Sequence, residues 1–297
     1  MNKNDCYYFK KDEWFFETSS CIPFDDSGVE IGIKVKKRLY EGKSKYQHIQ
    51  FFETYNLGKI LVLDGILQTS DKTEFIYHEM LCQVSIFSHP NPKKVLIIGG
   101  GDGGALEEVL KHKSIEKAVM VEIDERVVKL SQKYLPSISK KAFKNKKTEL
   151  IIGDGKEYIK KHKNYFDVII LDLSDPHGPA KELVSERFYK DVKTALRKDG
   201  MVSIQSASLT CQPRLAKIIY NRVKKIFPYI EIRKAVVPEY QAGEYSFILA
   251  SKYNLNKLSI KTLENKFKRI GLDLRYYSPE IHFSSKVLPK YFKNKLV

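Results

Sequence analysis

From Lys94 onward the chain repeats one unit: a short, mostly apolar run bounded by turn residues, then a longer amphipathic stretch. The runs are Lys94-Val-Leu-Ile-Ile98, Ala118-Val-Met-Val-Glu-Ile123, Thr148-Glu-Leu-Ile-Ile152, Asp167-Val-Ile-Ile-Leu171 and Met201-Val-Ser-Ile204. Short runs without regular polar alternation belong to strands covered on both faces, as in a parallel sheet. Between them, Ala105–Lys111, Glu125–Tyr134, Glu186–Leu196 and Arg214–Phe227 carry apolar residues at helical spacing. Such alternation predicts a doubly wound α/β sheet with helices on both faces. A last pair, Ile230–Val237 and Tyr245–Ala250, reads as an antiparallel hairpin at one edge, which brings the expected strand number to seven.

Upstream the pattern differs. Ile31, Ile33 and Val35 alternate with Gly32, Lys34 and Lys36, and His48-Ile-Gln-Phe-Phe52 and Lys59-Ile-Leu-Val-Leu63 follow around a turn at Asn56-Leu-Gly58. These are hairpin signals. The expected organisation is an N-terminal β-hairpin domain over residues 1–70 and a Rossmann-like catalytic domain with a C-terminal tail over residues 71–297.

The start of the chain has charges where a signal peptide needs an apolar stretch, and no window of membrane-spanning length is free of charge. A cytoplasmic location is therefore expected, with no membrane partner. The four cysteines (Cys6, Cys21, Cys82, Cys211) include no CxxC pair, which suits free thiols and argues against a zinc site. A net charge of +16 invites comparison with nucleic-acid-binding proteins, but the lysines are spread along the chain and no RNA-binding signature accompanies them. Solvated lysine-rich faces account for the charge, and no nucleic-acid partner is expected.

The first apolar run leads into Gly99-Gly-Gly-Asp-Gly-Gly104, which opens a helix. Gly99, Gly100, Gly101, Gly103 and Gly104 allow a tight turn and close approach of a ligand to backbone. Asp102 decides what that ligand is. A carboxylate in such a loop repels a pyrophosphate but attracts a nucleoside that carries a sulfonium and an amine. The next runs end in Glu122-Ile-Asp124 and Gly153-Asp154-Gly155. Acids there either cap the following helix or, at the carboxyl edge of the sheet, accept hydrogen bonds from ribose hydroxyls and an adenine amino group. Their recurrence at successive strand ends favours the ligand. The fourth run continues as Asp172-Leu-Ser-Asp175-Pro-His-Gly-Pro179. Two acids three residues apart at a strand end, before a Pro/Gly-rich loop, do not suit core packing.

With Lys45-Tyr-Gln47, Leu63-Asp-Gly65, Gln68, Glu74-Phe-Ile-Tyr77-His78-Glu79 and Val237-Pro-Glu-Tyr240, these motifs resemble the polyamine aminopropyltransferases, the spermidine synthase family, from about Trp14 to the end. The resemblance implies a methyltransferase-type Rossmann-like fold. It also implies transfer of an aminopropyl group from decarboxylated S-adenosylmethionine, a co-substrate rather than a cofactor, to a primary amine, with methylthioadenosine released. No metal is implied, and family members commonly form homodimers or homotetramers through the β domain. Alkylammonium groups titrate near 10.4, so the attacking amine must lose a proton. Asp172 suits that task, with Tyr77 orienting the nitrogen. Asp102 would hold the donor's ammonium. Gln47, His78, Glu122, Ile123, Asp154, Gly155 and Pro179 fall on nucleoside-contacting positions. Gln68, Tyr77, Asp172, Asp175, Gln205 and Tyr240 fall where the acceptor amine lies, and Trp14 either walls the amine tunnel or edges the β domain.

The chain departs from the common family pattern at Leu173, at Ala207, where many members have an acid, and in Pro238-Glu-Tyr-Gln-Ala-Gly243 with Glu244. Agmatine, cadaverine or a longer polyamine then compete with putrescine as acceptor. The enzyme is expected either to use putrescine poorly or to recover the missing contact through Glu239 or Glu244, and Ala207→Glu to raise putrescine use relative to longer or guanidino-tipped amines. A methyltransferase on the same fold, or a nucleic-acid-binding protein on a lapsed one, are the alternatives, and methylthioadenosine formation separates them.

Overall fold

The computed structural model describes residues 9–10, 14–18, 24–25, 27–176, 178–240, 243–255 and 258–296. Two sheets organise it. The first has six strands in sequential order: β1 (Phe9–Lys10), β2 (Trp14–Glu17), β3 (Ile31–Lys43), β4 (His48–Thr54), β5 (Lys59–Leu63) and β6 (Ile66–Ser70). All neighbours pair antiparallel. The second has seven strands, as expected, in the order β12-β13-β11-β10-β7-β8-β9. Its strands are β7 (Lys94–Gly99), β8 (Lys117–Glu122), β9 (Thr148–Ile152), β10 (Phe166–Asp172), β11 (Leu196–Ser208), β12 (Tyr229–Val236) and β13 (Glu244–Ser251). The edge hairpin β12–β13 is antiparallel and the neighbours from β11 to β9 run parallel.

The helices lie as the apolar periodicity requires. One core layer joins the sheet to α6 (Glu186–Ala195), α7 (Pro213–Lys224) and α10 (Lys290–Leu296). The opposite layer joins it to α1 (Glu74–Ser88), α2 (Gly104–Leu110) and α8 (Ile260–Ile270). Val95, Leu96, Ile97 and Ile98 of β7 are at most 2% exposed. Each such side chain contributes about 1.5–3 kcal/mol on burial, which fixes the central strands whatever the loops do. The two sheets meet through α3 (Glu125–Tyr134) and α4 (Pro136–Ser139), whose Val127 and Ile138 pack with Ile49, Phe51 and Leu61 of β4 and β5.

Cys82 and Cys211 are free and buried, while Cys6 and Cys21 lie outside the described residues. Among the described residues, no helix is long and apolar enough to cross a membrane.

Candidate active site

Chain order turns back between β7 and β10, the one place in the parallel part where consecutive units leave in opposite directions. Ligands of doubly wound sheets bind at such a switch point, beyond the carboxyl ends of the strands. The register there puts Asp172 beside Gly99 and Glu122 beside Ile152, so the strand-end acids stand level. The Gly100 amide donates to the Asp172 carbonyl at 2.9 Å. Gly99 has φ +84°, and a Cβ on it would stand 2.0 Å from that carbonyl oxygen. Only glycine permits this approach.

Tyr77, on the first turn of α1, donates its hydroxyl to Asp172 Oδ1 at 2.7 Å. Burial, then the Asp172 charge, holds the Tyr77 phenol well above its ordinary pKa, so it acts as a fixed donor. Burial also pushes Asp172 up to about 6, with the Asp102 charge adding to it and the His78 charge opposing. Asp172 Oδ2 faces the bare backbone of Gly100, where a Cβ would stand 2.9 Å away.

His78 sits behind this pair. Its Nδ1 donates to Glu74 Oε2 at 2.5 Å, one helical turn earlier, and its Nε2 lies 3.5 Å from Asp102 Oδ1. Asp102 also accepts the Gly104 amide at 2.8 Å. Burial opposes a charge on His78, but Asp102 and Glu74 outweigh it and its pKa lies well above the ordinary value. For Asp102, burial is outweighed by His78 and the Gly104 amide, and its pKa is lowered.

Tyr240 and Gln205 lie beside the Tyr77 ring, Gln205 through Tyr245, whereas the Gln68 side chain donates to the Ile66 carbonyl of its own strand at 3.0 Å. Tyr240 donates to the Gln68 carbonyl at 2.9 Å, and Gln205 donates to the Leu173 carbonyl at 2.6 Å. Asp175 accepts from Gln212 Nε2 at 3.0 Å, and burial pushes it up to about 6. Tyr245, which the sequence did not single out, donates to Gln205 Oε1 and lies 4.7 Å from Tyr240, centroid to centroid. With Tyr77 and Phe247 these rings form an aromatic wall of the kind that attracts ammonium groups.

Glu17 was also missed. It lies on β2, is 3% exposed and accepts the Leu67 amide at 2.7 Å. Burial foremost, with the charges of Asp175 and Asp25 adding to it, pushes its pKa up to about 8. Its only signal in the sequence was an acid in an otherwise aromatic strand, Trp14-Phe-Phe-Glu17. Trp14 stands three residues away, hence on the other face of β2. It is 41% exposed and stacks on Phe16, as an edge residue does.

On the nucleoside side, Glu122 is 9% exposed and burial, with the Asp124 and Asp172 charges adding to it, raises it to about 7. Gln47 donates to Asp124 Oδ2 at 3.0 Å across the two sheets. A cleft of about 350 Å³ opens beside Ile123 and Asp124, lined also by Ser44 and Tyr46. The capping role of strand-end acids is real at two positions: Asp124 accepts the Arg126 amide at 3.0 Å and Asp154 the Lys156 amide at 2.8 Å. Asp154 is exposed and caps α5 (Gly155–Ile159), of which Gly155 is the first residue. Gly155 has no room for a side chain, since a Cβ would meet Ile98 at 2.3 Å. Pro179 falls in the 3₁₀ segment Gly178–Val184, but its side chain, like His177, Gln241 and Ala242, is outside the described residues.

Two expectations about the acceptor end are corrected. Glu244 pairs with Lys234 at 2.7 Å, and Glu239 accepts from Thr73 at 2.8 Å and Ser70 at 3.3 Å. Both carboxylates already have partners within the chain. Ala207 does not face the site. The ladder shifts between Gln205 and Ser208, and Ala207, fully buried, joins the core layer under α6 and α7.

Among the described residues, His78, Asp102 and Asp172 offer ligand atoms within 4.8 Å of one another, as do His89, Asp167 and Asp199. Asp167 is committed to the Lys93 and Lys94 amides and to Arg197. The first group has the residue types for a cation and faces the switch point.

Residues 74–260 match the spermine/spermidine synthase domain, and residues 13–71 match the spermidine synthase tetramerisation domain. The chain belongs to the spermine/spermidine synthase family. It is 43% identical over 282 residues to a polyamine aminopropyltransferase of Thermoanaerobacter sp. strain X514, covering 95% of this chain and 97% of the relative. It is 40% identical over 287 residues to the spermidine synthase of Schizosaccharomyces pombe, covering 96% and 94%. A solved spermidine synthase in complex with the transition-state analogue AdoDATO superposes with a TM-score of 0.90 at 39% identity, covering 97% and 96%. The chain is thus an enzyme of the aminopropyltransferase class, as the motifs implied, and its fold is the one expected.

Proposed function

We propose that the enzyme transfers the aminopropyl group of decarboxylated S-adenosylmethionine to one nitrogen of a short diamine of the putrescine type, releasing methylthioadenosine. The observation that carries this is the Tyr77–Asp172 pair at the switch point, 2.7 Å long, set between the acid of the glycine loop and an aromatic wall. Tyr77 holds one oxygen of Asp172 and leaves the other for the proton of the attacking amine. Glu122 takes the ribose hydroxyls, with Gln47 and Ile123 beside the nucleoside and Asp154 and Gly155 beyond the third strand end. Asp102 takes the donor's ammonium. The cationic substrates, rather than a metal, satisfy the acids. Residues 1–70 act as the β unit that assembles copies of the chain, which the tetramerisation-domain match supports. Residues 71–297 act as the catalytic unit.

Glu17 supports a diamine as acceptor. It supplies at the far end the carboxylate that Ala207 lacks, in electrostatic contact with Asp175. Both acids are held partly protonated by burial, Asp175 near 6 and Glu17 near 8. Raising the pH from 5 to about 9 ionises Asp175 first and Glu17 last, so diamine affinity should rise across that window. The test is an amine panel, with methylthioadenosine and product mass as readouts. Glu17→Gln should raise KM for putrescine by about tenfold or more, the loss of a charge-assisted contact worth about 1.5–3 kcal/mol. 1-Aminobutane, which lacks the second ammonium, should be used equally by both proteins. Equal losses for the two amines would take Glu17 away from the far end.

Asp102→Asn tests the donor. The same charge-assisted contact predicts about 10–100-fold weaker binding of decarboxylated S-adenosylmethionine. Methylthioadenosine, without the ammonium, should bind within a few-fold of wild type in calorimetry. Parallel losses would place Asp102 away from the aminopropyl group.

A further inference from the structure

His78 is 1% exposed and stands between two carboxylates from different parts of the chain. Glu74, on its own helix, accepts from Nδ1 at 2.5 Å, and Asp102, on the glycine loop, lies 3.5 Å from Nε2. The ring cannot move away. A Cβ on Gly104 would meet its atoms at 2.2 Å, and the Tyr77 ring meets it edge-on at 5.2 Å. Two further acids feel its charge: Asp172 at the end of β10 and Glu239 before β13. Flanked by carboxylates at 2.5 and 3.5 Å, His78 is placed to be the cation beside Asp102 in the free enzyme, and its pKa is held above the ordinary value by those two acids.

The donor brings a second cation to the same carboxylate. Two positive charges facing one buried Asp102 would repel each other in a low-dielectric site. We propose that Glu74 and His78 form a proton-exchange pair: the aminopropyl ammonium replaces the Nε2 proton of His78 as the positive charge on Asp102. The Nε2–H bond breaks and its proton leaves to solvent, while the other proton stays on Nδ1 and is donated to Glu74. The freed Nε2 lone pair then accepts an N–H from the donor ammonium. Glu74 is the positioning residue here. It keeps the remaining proton on Nδ1, so that the lone pair always faces the donor.

This exchange presupposes the aminopropyl transfer proposed above. The test is calorimetric titration without acceptor amine, in two buffers of different ionisation heat, which counts protons released on binding. At pH 7 the wild type should release close to one more proton per site with decarboxylated S-adenosylmethionine than with methylthioadenosine. Subtracting the methylthioadenosine count removes protons that Glu122 or other nucleoside contacts release. His78→Gln should abolish the difference, and its methylthioadenosine titration shows that the site is folded. The difference should fade as the pH passes the His78 titration, and Glu74→Gln should move that fade to lower pH while Glu74→Asp restores it. Equal counts for the two ligands in the wild type overturn the exchange. So does an undiminished difference in His78→Gln, which would assign the proton to Asp172. Failure to form methylthioadenosine with any amine would instead overturn the transfer reaction on which the exchange depends.

Discussion

Asp172→Asn should bind methylthioadenosine like the wild type and turn over about 10²–10⁴-fold more slowly, the usual contribution of a positioned acid–base group. The amide occupies the space of the carboxylate and can accept the Tyr77 hydroxyl, so the 2.7 Å contact and the fold survive. What is lost is a base for the ammonium proton. The ordinary amine pKa, near 10.4, leaves about four molecules in ten thousand deprotonated at pH 7, so the reaction without Asp172 must wait for that fraction. The argument carries a pH signature. Asp172 is raised to about 6 by burial, so wild-type turnover should fall as the pH drops below 6, because the protonated carboxyl no longer accepts. In Asp172→Asn that limb should vanish and the rate should follow only the free-amine fraction, rising about tenfold per pH unit. Single-turnover rates from pH 5 to 9 decide the matter. A variant within a few-fold of wild type at pH 7 would remove Asp172 from the chemistry.

Ala207→Glu should lose most of the protein's stability instead of improving its use of putrescine. Ala207 is fully buried in the layer that includes Leu215, Ala216 and Ile219 of α7. A glutamate there either ionises in an apolar core, at a cost of several kcal/mol for an unpaired ion, or stays protonated with its carboxyl unpartnered. In both cases the added atoms overpack the layer, which costs about 1–3 kcal/mol more. Against a total stability of about 5–15 kcal/mol, the variant should unfold at far lower denaturant concentration or fail to accumulate as soluble protein. Equilibrium urea unfolding gives the answer. Stability within about 1 kcal/mol of wild type, together with better putrescine use, would return position 207 to the acceptor site.

The contrast between these positions shows where legibility in the sequence stopped. Asp172 and Glu122 were readable because each closes an apolar run, and a parallel strand delivers its last residue to the carboxyl edge of the sheet, while Asp102 was readable from its place in the glycine loop. Tyr77 and His78 were readable through a motif, but the Glu74–His78 contact needed only helical spacing and still passed unnoticed. Ala207 was misread because its place at the acceptor end was carried over from the family pattern, in which many members have an acid there. The register shift between Gln205 and Ser208 sends position 207 to the other face. Glu17 was missed because nothing local distinguishes a buried acid on a β-hairpin from a solvated one. Its environment is made by Leu67 and Asp175, which lie far along the chain. Glu239 and Glu244 looked free for the same reason, and their partners Thr73, Ser70 and Lys234 come from other elements.

The sequence by itself determined the layered α/β architecture, the antiparallel unit before it, the glycine loop and the acids that follow the central strands. Periodicity, turn residues and strand-end position act over a few residues, and a single chain displays them openly. The tertiary structure alone decided which acids face the cleft, which are spent on helix caps and ion pairs, and which carry a raised pKa. Those outcomes depend on burial and on charges contributed by distant segments, and both come into being only when the two sheets close on each other.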